Sequence, residues 1–362
     1  MTARGAAVPS DARFHLTANP QVSSIARTDA PAEQSSAHSQ RIPDRPRRRD
    51  PIPARLSGVA LFPASNPFRH WRGSEARASC AGLDIRADRV RLALLRRRRH
   101  HLELELLAEH VFDSAVCEGG QIGDFELLAQ GCRELLRSRQ VDAGGLAIAV
   151  STETAPIPLV LPAASDDVQR LAQVRSALAA YGFSADEYAF DYIVAGAAPA
   201  SPADVQVLAL AIPALMVEDR LALAEALQTP LRAMPPENWC TAGFLRGSRE
   251  DAVLRVDASG AWLSLQPCEY RPLRRMPSAS PIDLLHELAP LLRRPPRRLL
   301  LTGDSDDLDA VAAAISKYAG ITTAIAALPA RIRLAGTLAR NVLPLELPPF
   351  HCALALAAEG LA

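Results

Sequence analysis

Two stretches constrain the fold of this chain more than any others. "GLDIRADRVRLAL" (82–94) and "LRVDASGAWLSL" (254–265) each read as strand, polar turn, strand. In both, an aspartate closes the first strand: Asp84 in one, Asp257 in the other. A third stretch, "LLLTGDSDDLDAV" (299–311), reads as a buried strand, a glycine turn at Gly303 and a helix. Hairpins of this kind hold phosphate in many nucleotide-binding folds. A glycine in the turn lets the main chain approach the ligand with no Cβ in the way. The first turn here contains no glycine.

Between these landmarks the patterning alternates between periods of 2 and 3.6. Strands are expected at 81–85, 88–95, 101–112, 145–150, 154–161, 186–196, 205–212, 252–257, 261–266 and 297–303. Helices are expected at 124–139, 166–180, 281–293, 306–319 and 350–361. A further helix follows Pro213, which is read as its first residue. Hairpins mixed with strand–helix alternation give an α/β fold in two lobes.

Residues 1–78 differ from the rest. They hold nine prolines, and residues 1–79 carry twelve arginines against six acidic residues, without apolar periodicity. This stretch is expected to be a disordered, basic tail. The formal net charge of the whole chain is zero, which argues against a dedicated nucleic-acid binder. The longest apolar run, 205–217, is too short to cross a bilayer, and the N-terminus has no apolar leader. A cytoplasmic protein is the expectation. Six cysteines form no CxxC pair, so free thiols are expected and no metal site. Lys317 is the only lysine and follows no glycine-rich turn, which excludes a P-loop.

The order of these units resembles the actin-like (ribonuclease H-like) ATPase fold: two phosphate hairpins, then an adenosine-binding turn. Several stretches narrow the resemblance to the PilM family of actin-like type IV pilus assembly proteins, related to FtsA. They are "GLDIRADRVRLALL" (82–95), "VQRLAQVRSALAAYGFSADEYAFDYIVAG" (168–196), "VQVLALAIPALMVEDRLALAEALQTPLRAM" (205–234) and "FHCALALAAEGL" (350–361). The resemblance implies a first lobe over 79–247, with an inserted subdomain at about 151–195. A reduced second lobe would follow at 248–362. Only 30 residues separate Gln266 from Arg297, where the family places a further subdomain walling the adenine cleft.

The chain departs from the family's phosphate hairpins, which use Asp-x-Gly. Arg86 stands at the glycine of the first hairpin, and Ser259, followed by Gly260, at that of the second. The third turn, from Gly303, carries Asp304, Asp306 and Asp307, which would repel a triphosphate. Asp84, Arg86, Asp257, Ser259, Gly260 and Gly303 are therefore expected to be a vestigial nucleotide site, with no ATP or magnesium required. Two other readings stay open. Asp84 and Asp257 cap their own turns, or they still hold the magnesium of a working ATPase.

The family's partner is PilN, a membrane protein whose cytoplasmic N-terminal peptide docks beside the inserted subdomain. That implies a scaffold associated with the inner membrane through its partner. "TAPIPLVL" (154–161) is the best candidate edge for peptide pairing, with Ile157, Leu159, Val160 and Leu161 at the groove. Packing of Ile157, Leu159 and Leu161 in the core is the competing expectation. A GspL-like type II secretion component is the related alternative; such proteins continue into a membrane-spanning helix, absent after "AAEGLA".

Overall fold

A computed structural model describes residues 78–362, apart from 152–155, 199–200, 249, 258–259, 267–268, 273–283, 285–287, 289–294, 337 and 339–346. The expected tail and Ser259 lie outside the described residues, as does most of the expected helix 281–293. Leu284 and Leu288 of that helix are described; both are helical and buried.

The opening hairpin pairs β1 (Ser79–Ile85) with β2 (Arg89–Arg97), placing Asp84 opposite Arg91 and Ile85 opposite Val90. The Arg86 amide donates to the Arg89 carbonyl at 2.8 Å and closes the turn. β3 (Leu102–Val111) continues the meander beyond a turn at Arg98–His101. A small hairpin, β4 (Cys117–Glu118) and β5 (Gln121–Ile122), precedes helix α1 (Phe125–Ser138), whose N-cap Asp124 accepts from the Leu127 amide. Adding β6 (Leu146–Ile148), β10 (Leu231–Ala233) and β16 (Ile332–Leu334) gives a six-stranded sheet of order β10-β6-β1-β2-β3-β16.

Strand alternation sorts this sheet into two apolar faces. Ala81, Leu83, Leu92 and Leu94 pack with Leu128 and Cys132 of α1 and with Leu223 of α3 (Ala214–Ala226). Cys80, Ala93 and Leu95 face the other way, onto α4 (Glu237–Leu245) and the closing helix α6 (His351–Gly360). Gly82 lies on this second face because α6 presses against it. A Cβ there would sit 2.0 Å from the Ala353 carbonyl oxygen and 2.6 Å from the Ala357 nitrogen. Asp84 shares the parity of Gly82, so it too points toward the helices.

An inserted layer holds β7 (Ile157–Pro162), β8 (Tyr188–Ala198) and β9 (Ser201–Pro213) in the order β7-β9-β8, covered by α2 (Asp167–Ala180). Asp166 and Gln169 form a capping box at the start of α2. Pro213 ends β9 and stands at the N-cap of α3, one position before the expected one.

The second sheet runs β13-β12-β11-β14-β15. It comprises β11 (Asp251–Asp257), β12 (Gly260–Gln266), β13 (Glu269–Pro272), β14 (Arg298–Thr302) and β15 (Thr323–Ile325). Helix α5 (Leu308–Ala319) packs on it through Val311 and Ile315. Val253 and Leu300 of this sheet join the α4 and α6 core, so the two helices lie between the two sheets.

Candidate functional site: a buried ion-pair cluster between two hairpins

Between the sheets, the tips of β1 and β11 meet. Asp84 is fully buried, and Asp257 nearly so. Arg86 reaches back from the first turn and donates to Asp84 Oδ2 at 2.9 Å and to Asp257 Oδ2 at 3.3 Å. Its Nη1 also lies 3.5 Å from Oε2 of Glu237, the first residue of α4. Arg255, two residues before Asp257 on the same strand, approaches Asp257 Oδ2 at 2.7 Å and Glu237 Oε1 at 3.6 Å. Three carboxylates and two guanidiniums thus form one network.

Burial governs the chemistry of this network. It pushes the Glu237 carboxyl up to about 7 and raises Asp84, although Arg86 opposes both shifts. Burial also disfavours the Arg86 charge, but Asp84, Glu237 and Asp257 together more than restore it. Asp84 Oδ1 is buried with no hydrogen-bond partner among the described residues.

The third turn is tied into the same place. Gly303 has φ +120°, and a Cβ there would lie 2.1 Å from the Val256 carbonyl oxygen, so only glycine fits. The Asp304 amide donates to Asp257 Oδ1 at 3.2 Å, and the Ser305 amide to the Val256 carbonyl at 3.2 Å. The Asp304 carboxylate accepts from Arg91 Nη1 at 3.1 Å, while Arg91 Nε holds Glu109 at 2.8 Å. Thr302 Oγ1 lies 2.8 Å from Nδ1 of the buried His351.

Of the expected vestigial residues, the structure brings Asp84, Arg86, Asp257 and Gly303 together. Gly260, at φ +148°, pairs with Asp257 at the base of the second hairpin. Among the described residues, Asp84 takes the Arg86 side chain and Asp257 takes the amide of Asp304 in a neighbouring turn. Glu237, Arg255 and Arg91 were missed by sequence reasoning. Alternation on β1 and β2 was the one signal for Arg91, a charge at a core-facing position opposite Asp84.

The Arg86 guanidinium lies between the two hairpin tips, on Asp84 and Asp257. The turn amides at 86, 304 and 305 already donate within the protein.

The expected partner edge is separate from this cluster. β7 is an outer strand of its sheet. Ile157, Leu159 and Leu161 turn toward α2 and pack with Val174 and Leu178. Val160 points the other way and is 60% exposed. The register pairs Leu161 with Val205 and Pro162 with Asp204, and the Ala163 amide donates to the Ala203 carbonyl. Odd-numbered residues therefore face their partner strand, and even-numbered ones face outward. Two of the three outward positions, Pro158 and Pro162, have no N–H to offer, which leaves Val160 as the one outward donor within β7.

Residues 82–235 match the family model of the type IV pilus assembly protein PilM. A structure of a PilM–PilN type IV pilus biogenesis complex matches with a TM-score of 0.65 at 17% identity, covering 79% of this chain and 99% of that chain. The cytoplasmic domain of EpsL, an inner-membrane component of the type II secretion system of Vibrio cholerae, matches with a TM-score of 0.42 at 8% identity, covering 75% of this chain and 94% of that chain. The ethanolamine utilization protein EutJ from Carboxydothermus hydrogenoformans matches with a TM-score of 0.39 at 10% identity, covering 77% and 89%. No curated protein matches the chain in sequence. Residues 82–235 are thus similar to PilM in sequence, and the chain shares the α/β fold of that PilM structure.

Proposed function

We propose that this PilM-like chain is a non-catalytic scaffold of type IV pilus assembly, and that its partner is the cytoplasmic N-terminal peptide of a PilN-like membrane protein. The observation that carries the non-catalytic part is Arg86. Its guanidinium supplies, from within the chain, the positive charge that magnesium would bring to Asp84 and Asp257. A bound nucleotide would have to expel it and leave buried carboxylates uncompensated, a cost of several kcal/mol. The cleft is thus closed by the protein's own side chains.

Support for the partner comes from the fold match, which spans nearly all of the PilM chain in a PilM–PilN complex. No helix among the described residues is long and apolar enough to cross a membrane. Association with the inner membrane then comes through the partner, and the protein works on the cytoplasmic side. The inserted layer offers β7 as an edge for an extended peptide, with Val160 at the contact.

Fluorescence anisotropy with a labelled N-terminal peptide of the PilN-like protein tests this reading. Saturable binding, unchanged by millimolar ATP–magnesium, is the expected result. Absence of binding to the full chain removes the partner assignment, and binding that requires ATP removes the nucleotide-free scaffold.

A further inference from the structure

We infer that Asp84, Glu237 and Cys352, with Cys240 beside them, form a binding site for a thiophilic divalent cation of the zinc type. The inference is independent of the partner assignment above. One ligand atom from each of Asp84, Glu237 and Cys352 lies within 4.8 Å of the other two, and all three residues are buried. They come from β1, α4 and α6, elements that meet only in the folded protein.

Two independent observations point to a ligand. The first is Asp84 Oδ1. Arg86 takes Oδ2, but Oδ1 is fully buried and has no hydrogen-bond partner among the described residues. A buried acceptor left unmade is costly, and such groups in native proteins usually have a partner. The second is charge. The ion-paired cluster contains Asp84, Glu237 and Asp257 against Arg86 and Arg255. With all three carboxylates ionised it is one positive charge short, a balance that a proton or a bound cation restores. The other buried cations nearby are engaged elsewhere: Arg91 holds Glu109 and Asp304, and Arg220 donates to the carbonyls of Gly120, Ala149 and Met216.

A divalent cation that displaces the Cys352 thiol proton closes that balance. The metal adds two positive charges, the new thiolate adds one negative, and the cluster becomes neutral. One proton leaves from sulfur, and any proton held by the carboxylates leaves with it. The donor set selects the metal. Calcium and magnesium need six or more oxygens, whereas two carboxylates and a thiolate suit zinc. The Cys240 thiol donates to the Glu237 carbonyl oxygen at 3.2 Å. Three protein donors leave the fourth position of a tetrahedral set to water. Arg86 would then hold the outer oxygen of a ligating carboxylate, as surrounding groups commonly do at zinc sites.

The full chain, stripped with a chelator, is titrated with cobalt(II) alone. One equivalent should produce the near-ultraviolet thiolate-to-cobalt absorption and tetrahedral visible bands, and zinc should bleach both. Proton release, read by calorimetry in buffers of different ionisation enthalpy, should accompany binding. Cys352→Ser should abolish the thiolate absorption and weaken zinc binding by at least about tenfold; Cys132→Ser, on the opposite face of the first sheet, should change neither. If Cys352→Ser does not fold by circular dichroism, Glu237→Gln tests the same site and should reduce the signal. Cobalt binding with no thiolate absorption, or absorption unchanged in every folded variant of the cluster, overturns the inference.

Discussion

Arg86 Nη1 donates to Asp257 Oδ2 across 3.3 Å, joining the tips of two hairpins 171 residues apart in the chain. A second arginine repeats the link: Arg91 of β2 holds Asp304 of the third turn at 3.1 Å. Both bonds run from the first sheet to the second. Side chains therefore bridge the two sheets at this point.

Removing the Arg86 guanidinium should be costly. Arg86→Ala leaves Asp84, Glu237 and Asp257 buried with only Arg255 to oppose them. The expected loss is about 3–5 kcal/mol, the usual result of breaking a buried ion pair from one side. Urea denaturation at neutral pH measures it, and a loss below about 1 kcal/mol would mean the carboxylates find water instead. ATP–magnesium should leave the melting temperature of the wild-type protein unmoved, because stabilisation requires binding to the native state. A rise of several degrees, abolished by Asp257→Ala, would restore the ATPase reading.

Glu237 and His351 should act in opposite directions in mildly acidic solution, with Asp84 tilting stability downward as pH rises. Glu237 keeps its proton up to about pH 7 in the folded protein but only to about 4.5 unfolded, because it is buried. Its contribution is full below 4.5 and lost as pH rises through 7, on the order of 3 kcal/mol. Asp84 is raised for the same reason and acts in the same direction. His351 is held neutral by burial, with its pKa lowered from 6.5 to about 3. Its contribution is full above 6.5 and lost as pH falls toward 3. Between about 4.5 and 6.5 the Glu237 and His351 slopes cancel. Glu237→Gln should remove much of the alkaline loss and expose the acid loss from 6.5 downward. Urea midpoints of the chelator-treated protein over a pH series would show this, and unchanged curvature in the variant would count against it.

Gly82→Ala should destabilise severely although it adds one methyl group. That methyl would meet the main chain of α6 at 2.0 Å, so helix and strand must separate. A loss of about 3 kcal/mol or more is expected, at the upper end for overpacking. Gly243, within α4, has nothing within 4 Å of an added Cβ. Gly243→Ala should instead gain about 0.5–1 kcal/mol from helix propensity. Thermal melts of the pair separate a packing role for Gly82 from a general glycine effect.

Much of this fold was legible because β1, β2, β11 and β12 alternate cleanly and end on turn residues. Asp84 and Asp257 were readable for the same reason, since an aspartate at a strand end announces a turn. The Arg86 substitution was also visible, but its consequence was not. Sequence shows a charge where glycine belongs, yet cannot show that Asp257 and Glu237 lie at the other end of the side chain. Glu237 opens a helix after "MPP", a position where an acidic residue is ordinary for the helix dipole. Nothing local marks it as buried. Gly82 was invisible in its role because α6 arrives some 270 residues later in the chain.

The partner edge can be probed at Val160 with little risk to the fold. Its side chain is 60% exposed, whereas Leu161 beside it is buried under α2. Val160→Lys should therefore leave stability within about 0.5 kcal/mol of wild type, and Leu161→Ala should cost about 2–4 kcal/mol. Prolines at 158 and 162 remove two of three outward main-chain donors from β7. Strand pairing alone thus offers a peptide little, and side-chain contact at Val160 must supply more of the affinity. On that argument Val160→Lys weakens the PilN-like peptide at least about fivefold, near 1 kcal/mol, in the same anisotropy titration that tests the scaffold. A basic peptide should suffer most, because the new ammonium repels it. If Val160→Lys binds as wild type does while remaining folded, the peptide does not use this edge. Its site then lies on another face of the inserted layer.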